Sequence, residues 1–302
     1  MKKIILSVIF LGILSISVFW ISTAEDVIEL AYKAYNNSED DKAIPLLKRA
    51  IRIQSGSLGP NHPKVAKSYY VLAMSYGHKK KYKLALDYHS KALAIRIKKL
   101  GKKHIDVALS YYQIAETYFG MKNAEQAIKY YYRSFAVKLL NPGRETPSID
   151  FIFMSLRSFY MARGSYRLAG FFQTRAETSQ RKIENIKWGL TKSLKNQTKE
   201  NARLAVLYHR LAEAYTYKGQ FDKAIANHKT GIRLVETHWS KNDDTLPFAY
   251  LYLSWAYLGK SDYKSAVKYA ERAREIAKVM KRWRNSMMLL VTEYLSAIKQ
   301  LD

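Results

Sequence analysis

Apolar residues recur along most of this chain at the three- and four-residue spacing of a single helix face. Tyr69, Leu72, Ala73 and Tyr76 fall at i, i+3, i+4 and i+7. A basic turn at residues 78–81 follows, and a second stripe runs through Leu84, Ala85, Tyr88 and Ala92. The spacing predicts two amphipathic helices joined by a short turn. The pattern then repeats. Leu58-Gly-Pro-Asn-His-Pro-Lys-Val-Ala66 and Leu100-Gly-Lys-Lys-His-Ile-Asp-Val-Ala108 share Leu, Gly, His, Val and Ala at an offset of 42. A small residue near the start of each second helix stands at Ala43, Ala85, Ala127, Ala169, Ala224 and Ala266, with gaps of 42, 42, 42, 55 and 42. Nine positions before each stand Ala34, Tyr76, Tyr118, Tyr160, Tyr215 and Tyr257. Two such helices cannot bury their apolar faces alone, so the repeats must stack.

The fold expected is all-α: a right-handed superhelical α-solenoid of about six helix-turn-helix repeats with a C-terminal capping helix. The repeats span residues 25–57, 58–99, 100–141, 142–181, 202–239 and 240–281. The 13 residues beyond one period between Ala169 and Ala224 predict an extended second helix of the fourth repeat and a loop, at residues 182–201. Residues 282–302 form the cap, whose stripe is Met287, Leu290, Val291, Tyr294 and Ile298. Scarce helix breakers, 13 Gly and 6 Pro, agree with long helices.

Two repeats carry a recognisable set of positions: Tyr208, Leu211, Ala212, Tyr215, Ala224 and Gly231, then Tyr250, Leu253, Ser254, Tyr257, Ala266 and Ala273. This pattern resembles the tetratricopeptide repeat. The 42-residue period and the Leu-Gly-Pro-Asn-His-Pro-Lys-Val-Ala opening resemble its kinesin light chain variety. The resemblance covers about residues 25–280. It departs at the first repeat, where Ala34 replaces the tyrosine, and at the fourth, where Arg157 takes a small-residue position.

The resemblance implies a concave face lined by the first helix of each repeat and used to bind a protein or peptide partner. Two positions per helix would line it: Tyr70 and Met74, Tyr112 and Glu116, Met154 and Ser158, His209 and Glu213, Leu251 and Trp255, with Ile28 and Tyr32 in the first repeat. Chaperone-binding members of the family clamp a terminal carboxylate there with Lys, Arg and Asn. Those residue types are missing from these rows, which suits an extended or helical apolar peptide instead. The competing reading is that the same side chains only pack between repeats.

Charge suggests a second surface. Lys and Arg number 51 against 25 Asp and Glu, a net +26. Such an excess favours an anionic partner. Ten basic residues lie in 79–103 beside one acid, Asp87, and eight lie in 264–284 beside Glu271 and Glu275. Both clusters fall on turns and second helices, away from the concave rows. The alternative function is therefore association of a basic surface with an anionic membrane or another polyanion.

Catalytic signals are weak. No cysteine is present, which excludes disulfides, thiolate metal sites, a cysteine nucleophile and a lipid-modified cysteine. The seven histidines lack zinc-motif spacing, and His62 and His104, equivalent in two repeats, read as helix-start residues. Glu116 and Glu213 belong to separate repeats with no shared cleft. Neither a phosphate-binding glycine loop nor a nucleophile elbow occurs. The expectation is a non-enzymatic protein with no cofactor and no metal.

The N-terminus reads as an address. Lys2 and Lys3 precede an apolar run at residues 4–21, and Ser22 and Ala24 suit the −3 and −1 positions of a signal-peptidase site. Two outcomes stand: cleavage between Ala24 and Glu25 giving a periplasmic or secreted protein, or an inner-membrane anchor at residues 4–21, long enough to span. Both place the repeats outside the cytoplasm, which weighs against a nucleic-acid partner.

Overall fold

The computed structural model describes residues 24–142, 149–172, 180–195, 201–238, 243–280 and 284–301, and all the regular structure among them is α-helical. The leader expected at residues 1–24 lies outside the described residues but for its last position. Among the described residues no helix is long and apolar enough to cross a membrane. The chain divides into two compact units, Met1–Ile95 and Arg96–Asp302.

The first unit holds α1 (Ala24–Asn36), α2 (Asp40–Leu58), α3 (Pro63–His78) and most of α4 (Tyr82–Leu100). The second holds the end of α4, then α5 (Ile105–Gly120), α6 (Ala124–Leu139), α7 (Ile149–Ala162), α8 (Tyr166–Phe171), α9 (Gln180–Lys195), α10 (Asn201–Tyr217), α11 (Phe221–His238), α12 (Leu246–Gly259), α13 (Tyr263–Val279) and α14 (Arg284–Lys299).

One turn closes every helix pair. A residue with positive φ stands five positions before each small residue: Ser38 (60°), Lys80 (57°), Lys122 (60°), Gly164 (69°), Gly219 (70°) and Ser261 (63°). The next backbone N–H donates to the carbonyl five residues back, in Glu39 to Ala34, Lys81 to Tyr76, Asn123 to Tyr118, Ser165 to Tyr160, Gln220 to Tyr215 and Asp262 to Tyr257, at 2.8–3.0 Å. This is the left-handed helix stop that satisfies the last carbonyls of the first helix. The second helix starts at once. Asn123 Oδ1 accepts from the Gln126 N–H at 3.2 Å and Asp262 Oδ1 from the Ser265 N–H at 3.0 Å. The bond from Ser265 holds the Asp262 carboxyl below the usual range.

The small residues are fully buried, 0–1% exposed at all six positions. That is where the two helices of a pair approach each other. The aromatic nine residues earlier seals the pair by stacking on a ring twelve residues ahead. Tyr76 lies on Tyr88, Tyr118 on Tyr130, Tyr160 on Phe172 and Tyr257 on Tyr269, with centroids 5.2–5.6 Å apart. Seven of the 24 tyrosines take part in these stacks. Successive pairs are joined by polar contacts in register. Ser68 Oγ donates to Gln54 Oε1 at 2.8 Å, and at the equivalent positions Arg96 donates to Ser110 Oγ at 2.7 Å. His62 and His104 accept the N–H of Lys64 and Asp106 on Nδ1, so both cap the helix that follows, as expected.

Two features of the second unit differ from the expectation. The insert is not an extension of the fourth repeat's second helix. That helix, α8, ends at Phe171, and the insert forms a separate helix, α9, which packs on α10. Arg157 is exposed although its equivalents Ala73, Ala115, Ala212 and Ser254 are buried. The cap α14 covers α13, as expected, but it also packs against α6 of the third repeat, and α12 reaches α6 too. As a result Tyr131, Tyr132, Phe135, Ala136 and Val137 of α6 are all fully buried.

Candidate functional site

The residues expected to line a concave face fall into three groups. In three repeats the first-position residue packs on a ring 19 residues ahead in the second helix of the same repeat. Tyr70 meets His89 with centroids 5.7 Å apart, Tyr112 meets Tyr131 at 6.1 Å, and His209 meets His228 at 5.6 Å. Tyr70, Met74, Tyr112, Glu116 and His209 are partly buried, while Met154 and Ser158 are exposed.

The two carboxylates tie neighbouring repeats together. Glu116 Oε1 accepts from Tyr131 at 2.6 Å and from Ser155 at 2.8 Å. Glu213 Oε1 accepts from Tyr252 at 3.0 Å. Ser155 and Tyr252 each lie 39 residues after their glutamate, on the next first helix. Burial and the adjacent Glu116 carboxylate push the Tyr131 hydroxyl far above its ordinary pKa. These geometries hold the repeats in register.

Glu213, Leu251 and Trp255 are buried and line no accessible surface. Trp255 meets Phe135 of α6 edge to face at 4.6 Å and Tyr294 of α14 at 6.3 Å. The return of α14 and α12 onto α6 therefore covers the row of the sixth repeat with core. His209 and His228 face each other through Nδ1 at 3.3 Å, and His228 stacks on Tyr252 at 5.7 Å. Burial lowers the His209 pKa to about 4 and that of His228 well below its ordinary value. Among the described residues no group of three or more His, Asp or Glu could hold a metal ion.

The accessible apolar surface on the expected rows lies in two places. On α7, Phe151, Met154, Ser158 and Met161 are exposed at i, i+3, i+7 and i+10. In the first unit a cavity of about 380 Å³ is lined by Ile28, Glu29 and Tyr32 of α1, Gln54 of α2, and Lys64 and Lys67 of α3. Its size is within the range of small-ligand pockets. Ile28 and Tyr32 are the groove positions of the first repeat, and Lys67 Nζ stands 5.1 Å over the Tyr32 ring. The two lysines were missed by reading two positions per helix. Lys67 is one turn before Tyr70 on α3, so a wider stripe includes it.

Comparison with known proteins places this geometry. Residues 30–98, 70–139 and 203–278 match the tetratricopeptide repeat. No curated protein matches the chain. Solved structures similar to it include the nearly identical TPR-like repeats described as kinesin light chain from Podosopora anserina, at 18% identity, covering 85% of this chain and 96% of that one with a TM-score of 0.32. The TPR2AB domain of yeast Sti1 in complex with an HSP90 peptide is 17% identical, with 92% and 98% covered and a TM-score of 0.37. A tetratricopeptide repeat protein from Parabacteroides merdae is 16% identical, with 89% and 98% covered and a TM-score of 0.38. The matched residues fall in both units and leave out only the fourth repeat and the insert among the repeats, and the chain belongs to the tetratricopeptide repeat family, a family of protein-interaction scaffolds.

Proposed function

We propose that this scaffold works outside the cytoplasm and captures a peptide carrying an apolar side chain beside a carboxylate, in the cavity between α1, α2 and α3. The cavity carries the reading. Ile28 and Tyr32 supply apolar lining, Lys64 and Lys67 stand beside them with the single acid Glu29, and Lys67 Nζ lies 5.1 Å over the Tyr32 ring. An apolar side chain would lie against this lining while its carboxylate meets the lysines. Export through residues 1–24, as a signal or an anchor, supplies the location. N-terminal sequencing of the mature protein tests that part.

Peptide display selection on the full chain tests the cavity. Enriched sequences should pair Leu or Phe with Asp, Glu or a free C-terminus. Tyr32→Ala and Lys67→Glu should each abolish capture while the helical circular dichroism is unchanged. Enrichment of basic sequences, or capture that survives both substitutions, would refute the cavity as the site.

A further inference from the structure

The helix that interrupts the 42-residue period has its own outward face. α9 buries Ile183, Ile186, Leu190 and Ser193, a single stripe at i, i+3, i+7 and i+10. It packs on α10, close enough that a Cβ at Gly189 would sit 3.8 Å from Leu207. That stripe completes its role in the fold. Trp188 lies half a turn round the helix from it and is 66% exposed. Lys192 Nζ stands 5.0 Å over the Trp188 ring. The helix carries Arg181, Lys182, Lys187, Lys192 and Lys195 against a single acid, Glu184, and Leu194 is exposed as well.

Water is a poor environment for a free-standing indole, and nothing in the packing of α9 needs it there. Tryptophan and lysine side by side are the pair that settles at the level of lipid headgroups. The indole occupies the interface, and the ammonium meets phosphate. An excess of basic residues draws such a helix to anionic lipid. A lone ridge suits a fluid surface that closes round it, whereas protein partners anchor tryptophan in a formed pocket. We propose that α9 is a membrane-surface contact, with Trp188 seated among the headgroups of an anionic bilayer and Lys192 on lipid phosphate, while Lys187 turns back over the Tyr215 ring of α10. This goes beyond the peptide cavity, which lies in the first unit and can fail or stand independently.

The absence of cysteine gives a clean test. Thr191→Cys, one turn from Trp188 and exposed, accepts a single environment-sensitive fluorophore on the full chain. Ser57→Cys on α2, in the other compact unit, serves as the control. Phosphatidylcholine vesicles containing phosphatidylserine should blue-shift the label at 191 and leave that at 57 unchanged, and pure phosphatidylcholine should move neither. Lys192→Glu changes the face by two charges, roughly 25-fold in partitioning at about fivefold per charge. Trp188→Ala should abolish the spectral shift while circular dichroism is retained. The proposal is overturned if the label at 191 stays silent on anionic vesicles, even where the chain sediments with them through another segment. It is equally overturned by an equal response to neutral vesicles, by an equal response to polyglutamate, or by a shift that survives Trp188→Ala.

Discussion

His209 and His228 meet through their Nδ1 atoms, 3.3 Å apart, inside the fifth repeat. One ring must donate and the other accept, so the contact requires both to be neutral or one proton to be shared. Burial disfavours the charged form of each, and the neighbouring His209 adds to the effect on His228. The folded pKa values therefore lie below the unfolded value near 6.5, and the unfolded chain binds more protons as pH falls. The stability supplied by the pair is fully present above about pH 6.5 and is lost as pH falls towards 4. For His209 alone a shift of this size is worth about 3 kcal/mol. Urea midpoints measured between pH 7 and 5 should drop steeply, and the slope should flatten in His209→Phe/His228→Phe. A slope unchanged by the double substitution would show that other groups govern the acid response.

Gly231 of α11 faces the same ring. A Cβ there would sit 2.7 Å from His209 Cε1. Replacing a mid-helix glycine with alanine ordinarily stabilises by about 0.5–1 kcal/mol. Here the ring must move, and overpacking of this kind costs about 1–3 kcal/mol. Gly231→Ala should therefore lower the melting temperature. Gly189→Ala on α9, whose nearest neighbour would be 3.8 Å away, should raise it. The opposite signs of two identical substitutions are the result to look for in thermal unfolding.

The repeat was legible because it is a local property. The small residues, the tyrosine nine positions earlier and the histidine helix starts each answer to a bond within one helix pair, so they recur at the period. The ring stack at Tyr88, Tyr130, Phe172 and Tyr269 obeys the same offset and could have been read from it. The burial of Trp255 could not. It depends on α14 and α12 returning to α6, a contact between elements more than 100 residues apart that leaves no periodic trace. The two-position rule for the concave face presumes that the face stays open, and in the sixth repeat it does not. In the first repeat the face is open, and there the rule found Ile28 and Tyr32 but passed over Lys67.

Trp255, from the groove pair of the sixth repeat, and Met154, from that of the fourth, separate the two outcomes. Trp255 is fully buried against Phe135, Tyr252 and Tyr294, and truncation to alanine should cost about 3–5 kcal/mol. Met154 is exposed, and Met154→Ala should change stability by no more than about 0.5 kcal/mol. Denaturant titration of the two variants checks both values. Near-equal effects would contradict the packing of the sixth repeat on α6.

The left-handed turns offer a stabilising change that touches no contact. Lys80 and Lys122 hold φ of 57° and 60°, the conformation that Gly164 and Gly219 supply at the equivalent turns. A residue with a Cβ is disfavoured there by about 1–2 kcal/mol. Glycine removes that cost and gives back about 0.5–1 kcal/mol through the greater freedom of the unfolded chain. Lys80→Gly and Lys122→Gly should each stabilise by up to about 1 kcal/mol. They sit in turns of different repeats and share no partner, so their effects should add. Gly219→Ala should act in reverse and more strongly, because its Cβ would also come 3.1 Å from Pro142 Cβ. Thermal melts of the two glycine variants, their combination and Gly219→Ala settle the point. Lysine-to-glycine changes that destabilise, together with a harmless Gly219→Ala, would mean that the turns do not adopt the left-handed stop on which the repeat geometry rests.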